Sequence, residues 1–146
     1  MRFVQWVDEI IRMSERKWMK LAVEEAKKSH DEGDGRVHPR VGVVVVKGGK
    51  LLATAHRGEE EPGRHAEYTA LEKKLKEHNL AGATVFTTLE PCTSRNHPKI
   101  PCADRVVERN VDRVVIGMLD PNKEIRGTGE WDLEWDLGVR PSFKLT

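Results

Sequence analysis

The residues of this chain whose types and spacing could do chemistry are His65-Ala66-Glu67 and Pro91-Cys92, with Cys102 ten residues further on. One imidazole and two thiolates can hold a zinc ion and leave its fourth position open. Three protein ligands with an open position mark a catalytic zinc site, whereas a structural one is closed by four. Zinc brings the pKa of a water it binds down to roughly 7. Glu67 is then a carboxylate placed to move that water's protons. Residues two apart on an ideal helix do not share a face, so His65 and Glu67 can act together only over a helix end.

Each part has a plainer reading. A histidine at a helix start is commonly a surface residue. A first-turn glutamate is favoured by the helix dipole alone. The only two cysteines, Cys92 and Cys102, could be buried thiols, or a disulfide in an oxidising compartment. The opening residues Met1 to Trp6 carry no signal-peptide pattern, so a cytoplasmic location is expected. In a reducing compartment two cysteines beside a histidine motif read as metal ligands.

The elements that must position these groups follow from the patterning. Phe3, Val4, Val7, Ile10 and Ile11 recur at helical spacing and predict a short amphipathic N-terminal extension over residues 1–13. Its expected role is packing against the domain or a second subunit. Ser14 is the expected N-cap of a second helix running to about Lys28 or His30. Val41 to Val46 is an apolar, β-branched run that suits a central strand. Lys47-Gly48-Gly49-Lys50 signals a hairpin into an antiparallel strand from Leu51 to Ala55. A loop from Arg57 to Arg64 leads into a helix from His65 to about Glu77. Ala83 to Thr88 and Arg113 to Met118 are further strands. Cys102 to Arg109 is a helix entered through Pro101, a residue favoured where a helix begins. The repeat Glu130-Trp131-Asp132-Leu133, Glu134-Trp135-Asp136-Leu137 fits a short helix stopped by Gly138, and Val139 to Lys144 a last strand.

A chain of 146 residues suits one domain, here 14–146, with a sizeable core. Lys and Arg number 25 against 24 Asp and Glu, a formal net charge of +1. That balance is not the footprint of a strongly basic nucleic-acid binder. No apolar run approaches the roughly 18 residues of a membrane span.

Residues from about Ser14 to Phe143 resemble the cytidine/deoxycytidylate deaminase superfamily. The resemblance rests on His65-Ala66-Glu67, Thr88-Leu89-Glu90-Pro91-Cys92 and Pro101-Cys102, the ordered His, Glu, Cys, Cys parts of zinc deaminases. It extends to His38-Pro39-Arg40-Val41-Gly42, His56, Asp120-Pro121-Asn122 and Gly127-Thr128-Gly129, which look most like the RibD-type deaminase domain of riboflavin biosynthesis. The resemblance implies a three-layer α/β/α fold around a five-stranded mixed sheet. It implies His65, Cys92 and Cys102 as zinc ligands, Glu67 as acid and base, and assembly as a dimer or tetramer. The implied reaction replaces the exocyclic amine of a pyrimidine nucleoside or nucleotide with a carbonyl and releases ammonia.

The chain departs from that pattern in three places. Nine residues separate the cysteines, where the family commonly has two to eight. His38 stands where RibD-like proteins usually have an asparagine that touches substrate. The sequence closes at Thr146 without a reductase domain. The substrate-side candidates are His38, His56, His97, Lys99 and Asn122, with Arg64 a similar one beside His65. His97 and Lys99, between the cysteines, could meet a phosphate as point charges or be solvated. Trp131 and Trp135 could stack on a base or pack against the sheet. Two rivals remain at this point. One is a deaminase acting on cytosine or adenine in single-stranded DNA or RNA; the other is a non-catalytic binding module stabilised by zinc.

Overall fold

The computed structural model describes residues 2–93, 95, 99–121 and 140–143. Helix α1 (Arg2–Ala26) leads into strands β1 (Gly42–Lys47) and β2 (Lys50–His56). Helix α2 (Ala66–Tyr68) continues without a break as a π-helical stretch, Thr69–Lys74. Strand β3 (Thr84–Thr87), helix α3 (Cys102–Glu108) and strands β4 (Arg113–Ile116) and β5 (Arg140–Phe143) complete the described chain. The strands form one mixed sheet in the order β2-β1-β3-β4-β5. β1 is antiparallel to both β2 and β3, while β3, β4 and β5 run parallel.

Strand β1 is apolar from Gly42 to Val46 because both of its faces are covered there. Val43 and Val45 point into one core with Ala66, Leu71, Ala103 and Val106 from the α2 and α3 side. Val44 and Val46 point into the other with Ala22, Phe86 and Val115, under Trp18, Met19 and Leu21 of α1. A half-buried strand alternates polar and apolar residues; one buried on both faces does not. The hairpin to β2 turns on Gly48 and Gly49, with φ of 58° and 75°. Two consecutive positive φ values define the tight turn that matches strand twist, and glycine adopts them without strain.

The expected break at Ser14 is absent: α1 is a single helix of 25 residues. Residues 2–26 contain neither glycine nor proline, so nothing forces an end. Ser14 is exposed, and the next residue, Glu15, is buried and ion-paired with Arg113 of β4. That contact holds the middle of α1 on the sheet, and a serine cap is too weak to interrupt it.

The helix expected from His65 to Glu77 is shorter and changes pitch. Its last turn closes with Leu75 N–H donating to Ala70 C=O over 3.0 Å, a five-residue step. The carbonyls freed at this end are taken by Arg109, whose guanidinium donates to the oxygens of Leu71, Leu75 and His78. A cation at a helix C-terminus satisfies orphan acceptors and opposes the dipole. Helix α3 starts directly after Pro101 and ends at Glu108, and Asn110, just past its C-cap Arg109, takes a left-handed φ of 56°. The predicted strand over 139–144 corresponds to β5, parallel to β4. The predicted helix over 130–137 lies outside the described residues, as do Trp131 and Trp135.

Candidate metal centre and active-site cleft

Two helix starts meet beneath the C-terminal ends of β3 and β4. His65 is the N-cap of α2, with extended backbone angles of −69° and 145°. Its side chain therefore leaves from the helix end rather than from a face. Glu67 follows in the first turn of α2, and Cys102 is the first residue of α3. Cys92 comes from the loop after β3, tied to α3 by the Ala103 N–H bond to its carbonyl and the Cys102 N–H bond to its sulfur.

The three candidate ligand atoms all lie within 4.8 Å of one another. His65 Nδ1 is 3.3 Å from Cys102 Sγ and 3.7 Å from Cys92 Sγ. Tetrahedral zinc, with bonds of about 2.3 Å to sulfur and about 2.05 Å to nitrogen, places N and S about 3.6 Å apart. The two distances bracket that value, and the two sulfurs lie within 4.8 Å of each other, so the donor set fits zinc.

The electrostatics of the metal-free cluster are those of one thiolate and one thiol. Cys92 is pushed down to about 4, because Cys102 hydrogen-bonds its sulfur and His65 lies beside it, against the effect of burial. Cys102 is pushed up, first by donating to Cys92 and then by burial and the neighbouring Glu67. A helix N-terminus, such as the one Cys102 opens, by itself lowers a thiol's pKa. The contact between the sulfurs outweighs it and splits the pair, as coupled sites do. A bound metal ion needs both as thiolates and displaces the shared proton.

Glu67 is only 4 % exposed. Burial raises its pKa, His65 acts against the rise, and the Cys92 charge adds to it. A raised pKa moves a carboxyl group toward the range in which it can both accept and donate a proton, which acid–base catalysis requires.

A cleft of about 100 Å³ opens onto His65, Glu67 and Cys92. Its other walls include Arg57, Leu89, Glu90 and Asp120. Glu90 is buried and accepts the Asp120 N–H, which fixes the loop after β4 against the loop after β3. Arg57 donates to Glu32 over 2.8 Å and approaches His38 Nδ1 at 3.5 Å.

The substrate-side expectations fare differently. His38 bonds Asp34 at 2.8 Å and lies 3.2 Å from Glu32, so it reaches the cleft only through Arg57. His56 faces Glu25 at 3.3 Å and Glu59 at 3.7 Å and does not line the cleft. These two histidines sit in carboxylate clusters that also hold Arg57, Lys28 and Lys74. Lys99 and Arg64 line a second pocket. His97 and Asn122 lie outside the described residues. Arg57, Glu90 and Asp120 were not among the substrate-side candidates, although Glu90 and Asp120 stand in the stretches that carry the resemblance. Glu90, directly before Pro91-Cys92, carried the available signal: a carboxylate tied by the chain to a ligand.

The zinc-binding region of cytidine and deoxycytidylate deaminases matches residues 12–118. This chain belongs to that family. The matched region contains the candidate metal cluster of His65, Cys92 and Cys102. The chain is 38% identical over 136 residues to the riboflavin biosynthesis protein RibD of Aquifex aeolicus, covering 89% of this chain and 36% of that protein. It is 37% identical over 117 residues to a tRNA-specific adenosine deaminase of Bacillus subtilis, covering 76% and 66%. A solved Thermotoga maritima diaminohydroxyphosphoribosylaminopyrimidine deaminase and reductase superposes with a TM-score of 0.75 at 36% identity, over 90% of this chain and 36% of that one. The chain thus spans about a third of the length of the RibD proteins it matches. The deaminase-family fold is α/β with a mixed sheet. Among the described residues no helix is long and apolar enough to cross a membrane.

Proposed function

We propose that this chain is a zinc-dependent hydrolytic deaminase that converts the exocyclic amine of an aminopyrimidine, as nucleoside or nucleotide, to a carbonyl with release of ammonia. The observation that carries the reading is a buried Glu67 beside a His/Cys/Cys set with zinc-like spacing, lining an open cleft. His65, Cys92 and Cys102 hold the metal. Zinc bound there supplies a water activated at neutral pH. Glu67 carries a proton from the attacking water to the ring nitrogen and then to the leaving amine. Arg57, Glu90 and Asp120 present one cation and two carboxylates to the ring, a donor and acceptor set suited to a polar heterocycle.

A diaminopyrimidine ribosyl phosphate is supported by the likeness to RibD, and a cytosine nucleotide by the family as a whole. A second reading, adenosine within RNA, is favoured by the likeness to the tRNA-specific adenosine deaminase. Residues 1–13 serve as an N-terminal extension of the domain, and its described part is the start of α1. Exposed Ile10, Ile11 and Met13 give that helix an apolar face suited to self-association as a dimer or tetramer.

The test incubates the zinc-loaded chain with cytosine, adenine, guanine and diaminopyrimidine compounds, each free, phosphorylated and within single strands, and assays ammonia. Glu67→Gln keeps the side chain's volume and removes its acid–base capacity, so folding and zinc content should persist. Turnover should fall about 10²- to 10⁴-fold, the range of acid–base catalysis. Zinc retention with unchanged turnover in Glu67→Gln refutes the role of Glu67. Stoichiometric zinc without ammonia from any compound leaves the binding-module reading.

A further inference from the structure

A second pocket of about 210 Å³ is lined by residues close in the chain to the candidate ligands, and no step of the proposed reaction uses it. Its walls carry Arg64, Arg95, Lys99 and Arg105 against a single carboxylate, Glu61. Arg64 and Arg105 lie over the ring of one residue, Tyr68, at 4.5 and 4.6 Å from its centroid. Two guanidiniums on one aromatic ring repel each other, and the cation–π attraction offsets this only in part. Glu61 pairs with Arg64 but is more than half exposed, and Glu72 stands 3.8 Å from Arg105. The Nε–H groups of both arginines are buried and have no acceptor among the described residues. Buried donors are normally satisfied, and guanidinium forks match phosphate oxygens.

The pocket is also tied to the reaction centre by the chain. Arg64 precedes His65, Tyr68 follows Glu67, Arg95 follows Cys92 by three residues, and Arg105 follows Cys102 by three. We infer that this pocket binds a phosphomonoester, and that Arg64 and Arg105 on Tyr68 are its anchors. Assigning that phosphate to the substrate rests on the deaminase reading and selects nucleotides over nucleosides. The cations converge on one concavity rather than forming a row, which suits a compact dianion better than a strand of diesters.

The experiment measures calorimetric binding of inorganic phosphate to the zinc-loaded chain, its Arg64→Gln and Arg105→Gln variants, and Arg105→Lys. Each glutamine variant should bind phosphate about tenfold more weakly, the loss of one charge-assisted hydrogen bond, with Arg105→Lys intermediate. Exposed Lys99→Gln weakens binding in the same direction and keeps the question open to test if Arg105→Gln does not fold. Among turned-over compounds, Arg105→Gln should raise KM for the phosphorylated form and leave KM of its nucleoside unchanged. Absence of phosphate binding, or equal binding by wild type and all variants, overturns the site. A single-stranded oligonucleotide that displaces phosphate with the same Arg105 dependence overturns the monoester assignment. Phosphate binding is read without turnover, so absent ammonia release defeats the deaminase reading and leaves the site standing.

Discussion

Gly42→Ala sets two physical effects against each other. Gly42 opens β1, and its φ is not in the left-handed region. On backbone grounds alanine is therefore acceptable there, and the change would stabilise by about 0.4–1 kcal/mol through the unfolded state. Packing says the opposite. A Cβ at this position would sit 1.9 Å from the Ala22 carbonyl oxygen and 2.5 Å from the Ala26 nitrogen, both backbone atoms of α1. Reaching even 3.0 Å, the floor for real Cβ contacts, requires the helix to retreat by the difference between 1.9 and 3.0 Å. A gap near 1 Å forfeits a quarter or more of each dispersion contact across it. The interface has five buried members, Ala22, Val44, Val46, Phe86 and Val115. If burial stabilises each by about 1.5–3 kcal/mol, losing a quarter costs about 2–4 kcal/mol in all. That outweighs the entropic gain and is a large share of the roughly 5–15 kcal/mol of a whole domain. In urea, the unfolding midpoint should fall by about 1–2 M at an ordinary slope. A midpoint equal to or above wild type would refute the close approach of α1 to β1.

Cys92→Ala should purify with far less than one equivalent of zinc by elemental analysis. A chelator should lower the thermal midpoint of wild type and leave that of Cys92→Ala where it is, because a metal stabilises only the chain that binds it, by about 2.7 kcal/mol at a hundredfold excess over Kd. One retained equivalent would overturn the ligand assignment. Away from the metal, burial raises the Glu25 pKa, but hydrogen bonds from Lys28 and His56 prevail and hold it below its ordinary 4.5. Its contribution to stability is therefore complete above that ordinary value and is lost as pH falls through the lower folded one. Urea unfolding at pH 6 and pH 3.5 should show a smaller acid loss in Glu25→Gln than in wild type; equal losses would exclude this contribution.

The features legible in the sequence are those that one residue type decides alone. Gly48 and Gly49 mark the hairpin because only glycine enters two left-handed positions without strain. The valines of β1 mark a strand covered twice. His65, Glu67, Cys92 and Cys102 mark a zinc site because few side chains bind zinc and fewer combinations leave it an open position. What sequence reasoning missed depends on partners far along the chain. Ser14 fails to cap because Glu15 reaches Arg113, 98 residues away. The helix after His65 ends early where Arg109, over 30 residues on, takes its carbonyls. His56 turns toward Glu25 rather than the cleft, and Arg57, unremarkable in sequence, turns into it.

The same distinction separates reaction from substrate. The reaction requires particular ligand types, so it can be read from four residues. Selection of a substrate needs only complementary charge and shape, which many residue types can provide. Arg64, Arg95 and Arg105 stand one to three positions from the ligands, on the segments that hold the metal site. A side chain so placed is fixed relative to the reacting atom as firmly as the ligand itself, yet the metal sets no demand on its identity. In this chain the flanking positions carry guanidiniums and the longer Cys92–Cys102 segment adds Lys99, so substrate recognition sits beside the chemistry without altering it.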